Sequence, residues 1–268
     1  MSTTKSAKGT ALVTGASSGL GSVYADRLAR RGFDLTLVAR REDRLLALAD
    51  KLRGQYGISV RTLAADLGTP AGVKAAEDEI RQDAALAMVV NNAGTATLSA
   101  IGDVSLENHD AMINVNTTAL SRLSLAALAV FKQRDAGTIV NVGSVLSFNT
   151  LAISGVYSGT KGYVMNFTRG LQQEVQGTKV VVQLVLPATT ATEIWEVGGI
   201  PLSALNQASV MTIENCVDAA LSGLDRGELV TLPSVEDAQL WADFDAARTK
   251  LFAATQTGKP ASRYQLAG

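Results

Sequence analysis

The chain has 268 residues, 47% apolar and 18% charged, with a net charge of -1. Its charges are interspersed, so no basic face or tail marks it for nucleic acid. No apolar stretch approaches the ~20 residues of a membrane span, and Met1 to Thr10 is polar, without the apolar core of a signal peptide. With one cysteine, Cys216, and one histidine, His109, neither an intrachain disulfide nor a thiolate or histidine metal site is available. A cytoplasmic protein working without metal is expected, with Cys216 as a small buried residue and His109 on a solvated helix.

Short β-branched runs alternate with longer helical patterns. Residues 10–14 read as a buried strand, 15–21 as a tight glycine turn and 20–31 as a helix. Strands are expected at 34–39, 58–64 and 86–90, and helices at 42–55 and from Pro70 to about Gln82. Residues 106–134 lack glycine and proline and read as one long helix. There follow a strand at 138–142, a helix at 156–176, a valine-rich strand at 179–186, a helix at 212–224, a short strand at 228–232 and a last helix at 235–254. Strands separated by helices imply right-handed crossovers and a parallel sheet covered on both faces. The reading is an α/β fold: one doubly wound (Rossmann) domain of about seven strands over residues 1–268. The irregular stretch 189–210 is its expected lid.

The glycine turn, Gly15-Ala16-Ser17-Ser18-Gly19-Leu20-Gly21, lies between the first strand and the first helix. That is where a pyrophosphate meets free N–H groups and a favourable dipole. The same residues fit the Gly-x-Ser-x-Gly elbow of serine hydrolases, but that chemistry needs a histidine late in the chain. After the second strand come Arg40 and Arg41, where an acid would suit NAD. The arginines suit the extra phosphate of NADP, so NADP(H) is expected over NAD(H). Tyr157 and Lys161 lie four apart on a helix and share a face. A positive charge nearby favours the phenolate, so Lys161 is expected to lower the tyrosine's pKa towards neutrality.

Together these residues resemble the short-chain dehydrogenase/reductase family, in its single-domain branch, over roughly residues 10–192. Asp66 is read as ending the third strand, where the family places an adenine contact, with Leu67 beside it. Asn91-Asn92-Ala93-Gly94 matches its motif after the fourth strand. Asn116, preferred over Asn114, matches its catalytic asparagine, and Ser144, Tyr157 and Lys161 complete the tetrad. Pro187 and Thr192 match its nicotinamide-side loop, although Ala188 stands where a glycine is usual. A weaker resemblance, in residues 42–66 and 226–233, is to a bacterial subgroup of general oxidoreductases.

The resemblance implies hydride transfer between nicotinamide and a ketone, aldehyde or secondary alcohol. Tyr157 would exchange the proton and Ser144 would hydrogen-bond the substrate oxygen. Lys161 would also hold the cofactor ribose, and Asn116 would position a water. Leu146, Phe148, Leu151, Ile153, Ile194, Trp195, Ile200 and Leu202 suggest an apolar substrate pocket. The long helices are expected to pair in a homodimer or homotetramer. A non-catalytic NADP(H) sensor or interaction protein is the alternative on the same fold.

Overall fold

A computed structural model describes residues 8–265. The polar leader is thus described only from Lys8, and the last three residues lie outside the described part. The described residues fall into two compact units divided after Ser234, where the sequence reads as one domain.

The first unit is a seven-stranded parallel sheet in the order β3-β2-β1-β4-β5-β6-β7. Its strands are β1 (Thr10–Thr14), β2 (Asp34–Ala39), β3 (Val60–Ala64), β4 (Leu86–Asn91), β5 (Gly137–Val142), β6 (Val180–Val185) and β7 (Val230–Thr231). Helices α1 (Gly19–Arg30), α2 (Glu42–Tyr56) and α3 (Pro70–Gln82) connect the first four strands. Strands β1 and β2 are buried on both faces, so their sequences run apolar rather than alternating. Within β1, Ala11 and Val13 face one core with Leu35, Leu37, Tyr24 and Leu45. Leu12 faces the opposite core with Ile80, Leu123 and Phe131. That alternation follows from the two-residue period of a strand.

Local signals set the helix ends. Thr69 caps α3 by accepting from the Gly72 N–H at 3.1 Å, with Pro70 in the first turn. Glu42 and Asp43 occupy the first turn of α2, where their charge complements the dipole. The expected 106–134 helix is one continuous run with a change of pitch inside it. It comprises α4 (Leu106–Ile113), a π-helical segment (Asn114–Ala119) and α5 (Leu120–Arg134). After β5, α6 runs Gly155–Glu174 and carries Tyr157 and Lys161.

Beyond β6, residues 189–210 form α7 (Ile194–Val197) and two 3-10 turns, Leu202–Ala204 and Gln207–Ser209. A bridge between Thr190 and Met211 ties the base of this segment. Helix α8 (Ile213–Asp225) then returns to the sheet. In the second unit, α9 (Gln239–Ala254) buries none of its residues and exposes Leu240, Leu251 and Phe252.

Candidate functional site

The strand order reverses between β1 and β4, which opens a crevice at their carboxyl ends. A cleft of about 690 Å³ lies there. Of the residues selected from sequence, Gly15, Ser17, Ser18, Gly19, Leu20, Arg40, Arg41, Asp66, Leu67, Asn92, Ala93, Gly94, Ser144, Tyr157, Lys161, Pro187 and Thr192 all line it. Gly21 and Asn116 do not line it; each packs behind a residue that does.

The glycine turn is held against the loop after β4. The Thr14 hydroxyl accepts the N–H groups of Asn92 and Ala93, both at 3.0 Å, and the Asn92 amide donates to the Thr14 carbonyl at 3.0 Å. Packing there leaves no space for a side chain. A Cβ on Gly21 would lie 2.3 Å from the Gly15 carbonyl oxygen, and Gly15 itself has a φ of +66°. Helix α1 starts at Gly19 with no acid in its first turn and no side-chain cap from Ser18. Its free N–H groups and dipole therefore suit an anion. Asp66 is exposed, and its carboxylate accepts the Gly68 N–H at 2.9 Å. It stands two residues beyond the end of β3 rather than at it.

Arg41 is the arginine anchored at the turn. Its Nε and Nη2 donate to the Ser17 hydroxyl at 3.2 and 3.1 Å, and Nη2 donates to Ser18 at 2.7 Å. Its Nη1 pairs with Glu193 at 2.9 Å, and Arg44 pairs with the other oxygen of the same carboxylate at 2.9 Å. Hydrogen bonds from these two guanidiniums, Arg41's first, hold the Glu193 carboxyl below its ordinary pKa. Arg40 is exposed on the cleft wall. Nothing in the sequence distinguished Arg41 from Arg40 or pointed to Glu193, because an ion pair spanning more than 140 residues has no local signature.

At the other end of the cleft, Tyr157 is partly exposed and Lys161 is buried. The Lys161 ammonium donates to the Val142 carbonyl at 3.0 Å and lies 5.7 Å from the centroid of the Tyr157 ring. Burial pushes the phenol up to about 12, and a hydrogen bond with Ser144 pulls the other way. Burial pushes Lys161 down to about 8. The phenol thus stands above its ordinary value, where the four-residue spacing leads to the expectation of a shift towards neutrality. One ammonium N–H of Lys161 is directed at a backbone carbonyl, and desolvation weakens its charged form. Here Ser144 is the group that favours the phenolate.

Asn116 sits in the π-helical segment, fully buried. Its amide donates to the Thr95 carbonyl at 2.9 Å and the Thr160 hydroxyl at 3.1 Å, and its oxygen accepts the Thr95 N–H at 2.9 Å. The side chain is thus spent on bracing the loop after β4 to α6. Asn114, the competing choice, is exposed on the cleft wall. Among the described residues, the non-glycine positions with positive φ are Asp135 and Gln265. Ala188 therefore takes the glycine position without backbone strain. Thr192 packs near the glycine turn, its methyl 3.5 Å from where a Gly19 Cβ would be. Of the apolar residues expected around the substrate, Leu146, Leu151, Ile153, Ile194 and Trp195 line the cleft, whereas Phe148, Ile200 and Leu202 do not.

The short chain dehydrogenase family model matches residues 9–198. The chain belongs to the short-chain dehydrogenase family. This dehydrogenase is 28% identical to the 7beta-hydroxysteroid dehydrogenase of Collinsella aerofaciens, over 89% of this chain and 91% of that one. The solved short-chain dehydrogenase of Sphingobium yanoikuyae, in complex with NADPH, is 44% identical with a TM-score of 0.92, over 96% of this chain and 99% of that one. The bulky-bulky ketone specific alcohol dehydrogenase of Comamonas testosteroni is 37% identical with a TM-score of 0.87, over 96% and 98% of the two chains. This short-chain dehydrogenase has the features that a nicotinamide dinucleotide requires: the glycine cradle, the uncapped start of α1 and a cleft joining them to Tyr157. No helix among its described residues is long and apolar enough to cross a membrane.

Proposed function

We propose that this protein is an NADP(H)-dependent oxidoreductase interconverting ketones, or aldehydes, and alcohols, of the carbonyl reductase type, with a preference for bulky apolar ketones. The observation that carries this reading is one cleft with two ends. A glycine turn flanked by Arg40 and Arg41 lies at one end, and Ser144, Tyr157 and Lys161 lie at the other. The bound nicotinamide would supply or accept the hydride. The protein's task is then to handle one proton and one developing charge.

In reduction, Tyr157 donates its phenolic proton to the substrate oxygen. Ser144 donates a hydrogen bond that steadies the charge growing there. The buried ammonium of Lys161 faces the tyrosine ring and holds the nucleotide's nicotinamide ribose. Asn116 keeps the two helical turns and the Gly94 loop in register; a water relay to Lys161 would run past this brace. In alcohol oxidation the proton moves the other way. Pro187 and Thr192 border the nicotinamide side, and Gly15 to Gly21 with Asn92, Ala93 and Gly94 form the pyrophosphate side. Asp66 and Leu67 lie at the adenine.

Leu98, Leu146, Leu151, Ile153 and Trp195 give the cleft an apolar wall, which supports a substrate with an apolar body. The likeness to a ketone-specific alcohol dehydrogenase and a hydroxysteroid dehydrogenase supports the same class. The segment 189–210 acts as the lid over this substrate. Exposed Leu125 on α5, and exposed Tyr163 stacked on Phe167 of α6, support a homodimer or homotetramer, to be checked by light scattering.

The test is oxidation of NADPH, followed by its absorbance, against ketones and aldehydes graded in size. Turnover rising with apolar bulk is expected. Cofactor binding without turnover across the panel would instead make the protein a sensor. Arg40→Asp is expected to weaken NADPH by about tenfold or more, the worth of one charge-assisted hydrogen bond, and to spare NADH. Equal kinetics with both cofactors in the parent protein would remove the phosphate site at Arg40 and Arg41.

A further inference from the structure

One ion-pair cluster joins parts of the cleft that have no common element. Arg41 and Arg44 stand at the start of α2, while Glu193 immediately precedes α7. Both oxygens of the Glu193 carboxylate are engaged, one by each guanidinium, at 2.9 Å. Arg41 simultaneously donates to Ser17 and Ser18 of the glycine turn. A single guanidinium therefore touches the nucleotide turn and the segment 189–210. The carboxylate occupies the place between two arginines that any other nearby anion would seek.

We propose that Glu193 is a specificity-determining latch: its carboxylate holds Arg41 and Arg44 until the 2′-phosphate of NADP(H) takes Arg41, and this exchange frees the segment that begins at Ile194. The inference rests on the NADP(H) reading above. It follows from charge. The 2′-phosphate carries close to two negative charges and the carboxylate one, so two such anions on one guanidinium repel and the more highly charged prevails. NADH has only a hydroxyl at that position and leaves the latch closed. Glu193 thereby lowers the affinity for NADP(H) and leaves that for NAD(H) unaltered. The three side chains are each about half exposed, so the pairing is of the modest, exchangeable kind.

The test uses binding of nucleotide fragments rather than turnover. Trp195 follows the latch by two residues and donates to the Thr190 carbonyl at 2.9 Å. The protein's other tryptophan is Trp241, so Trp241→Phe leaves Trp195 as the sole indole reporter. In that background, 2′,5′-ADP is expected to change the Trp195 emission and ADP to leave it unchanged. Adding Glu193→Gln is expected to tighten 2′,5′-ADP about fivefold, the upper worth of a half-exposed ion pair, with ADP affinity unaltered. Glu193→Asp, which keeps the charge, is expected to stay near the parent ratio. If the parent prefers 2′,5′-ADP and Glu193→Gln leaves the ratio unchanged, the latch is wrong and the phosphate site stands. If the parent binds both fragments alike, both fall. An emission unchanged by 2′,5′-ADP would overturn the release of the segment.

Discussion

Tyr157→Phe is expected to lower ketone reduction by about 10²- to 10⁴-fold, the usual worth of a positioned proton donor. The substitution removes one oxygen and keeps the ring that packs under Lys161, so NADPH affinity should stay near that of the parent. Burial holds the phenol at about 12, which keeps it protonated at neutral pH and ready to donate. Oxidation needs the opposite state. Its rate should therefore climb with pH through the alkaline range in the parent, while reduction stays flat or falls. The Phe variant should show neither trend. Titrating NADPH by fluorescence alongside initial rates in both directions checks the pair of claims. Near-normal turnover in the variant would sink the assignment of Tyr157.

Lys161→Met is expected to abolish most turnover and yet make the protein more heat-stable at pH 7. The side chain is 4% exposed, and burial lowers its pKa from 10.5 to about 8. Between those values the unfolded chain binds a proton that the folded chain has lost, so stability rises with pH across that window. Below about pH 8 the charged, buried lysine costs about 3 kcal/mol, from the size of that shift. Methionine carries no such cost. The variant's advantage in thermal unfolding should be largest at pH 7 and shrink as the pH approaches 10.5. Other groups titrate in the same range, including Tyr157 and Cys216, both raised by burial and acting in the opposite direction. The informative quantity is thus the difference between variant and parent at each pH. A variant less stable than the parent at pH 7 would contradict the buried-charge account.

Much of this site was legible because its parts are local. The glycine turn, the Asn-Asn-Ala-Gly loop and the Tyr157–Lys161 spacing each occupy a few consecutive residues; the first two sit at strand ends and the third in the first turns of a helix, all of which periodicity located. The sheet itself followed from apolar runs bounded by glycine and proline. What was illegible depends on contacts across the chain. Arg40 and Arg41 are equivalent as a string, and only the position of Ser17, Ser18 and Glu193 separates them. The electrostatics of Lys161 turned on its bond to the Val142 carbonyl and on burial, neither of which a four-residue spacing contains. Asn116 is set apart from Asn114 in the sequence only by its match to the family's motif; its burial and its bonds to Thr95 and Thr160 involve three segments in space. Phe148, Ile200 and Leu202 are apolar in the right segments but point elsewhere, because irregular segments have no period from which to assign a face.

The π-helical turn at Asn114–Ala119 has a consequence for how this gene tolerates insertion and deletion. A π turn is, in effect, an α-helix with one residue too many. Deleting any single residue there would let the helix close into regular α geometry, at no cost in backbone hydrogen bonds. Because the wide turn already absorbs the surplus residue, α4 and α5 would keep their faces, and Leu123 and Phe131 would stay in the core. What would be lost is the local backbone that aims Asn116 at Thr95 and Thr160. A one-codon deletion in this stretch should therefore leave the protein folded and the brace behind its site broken.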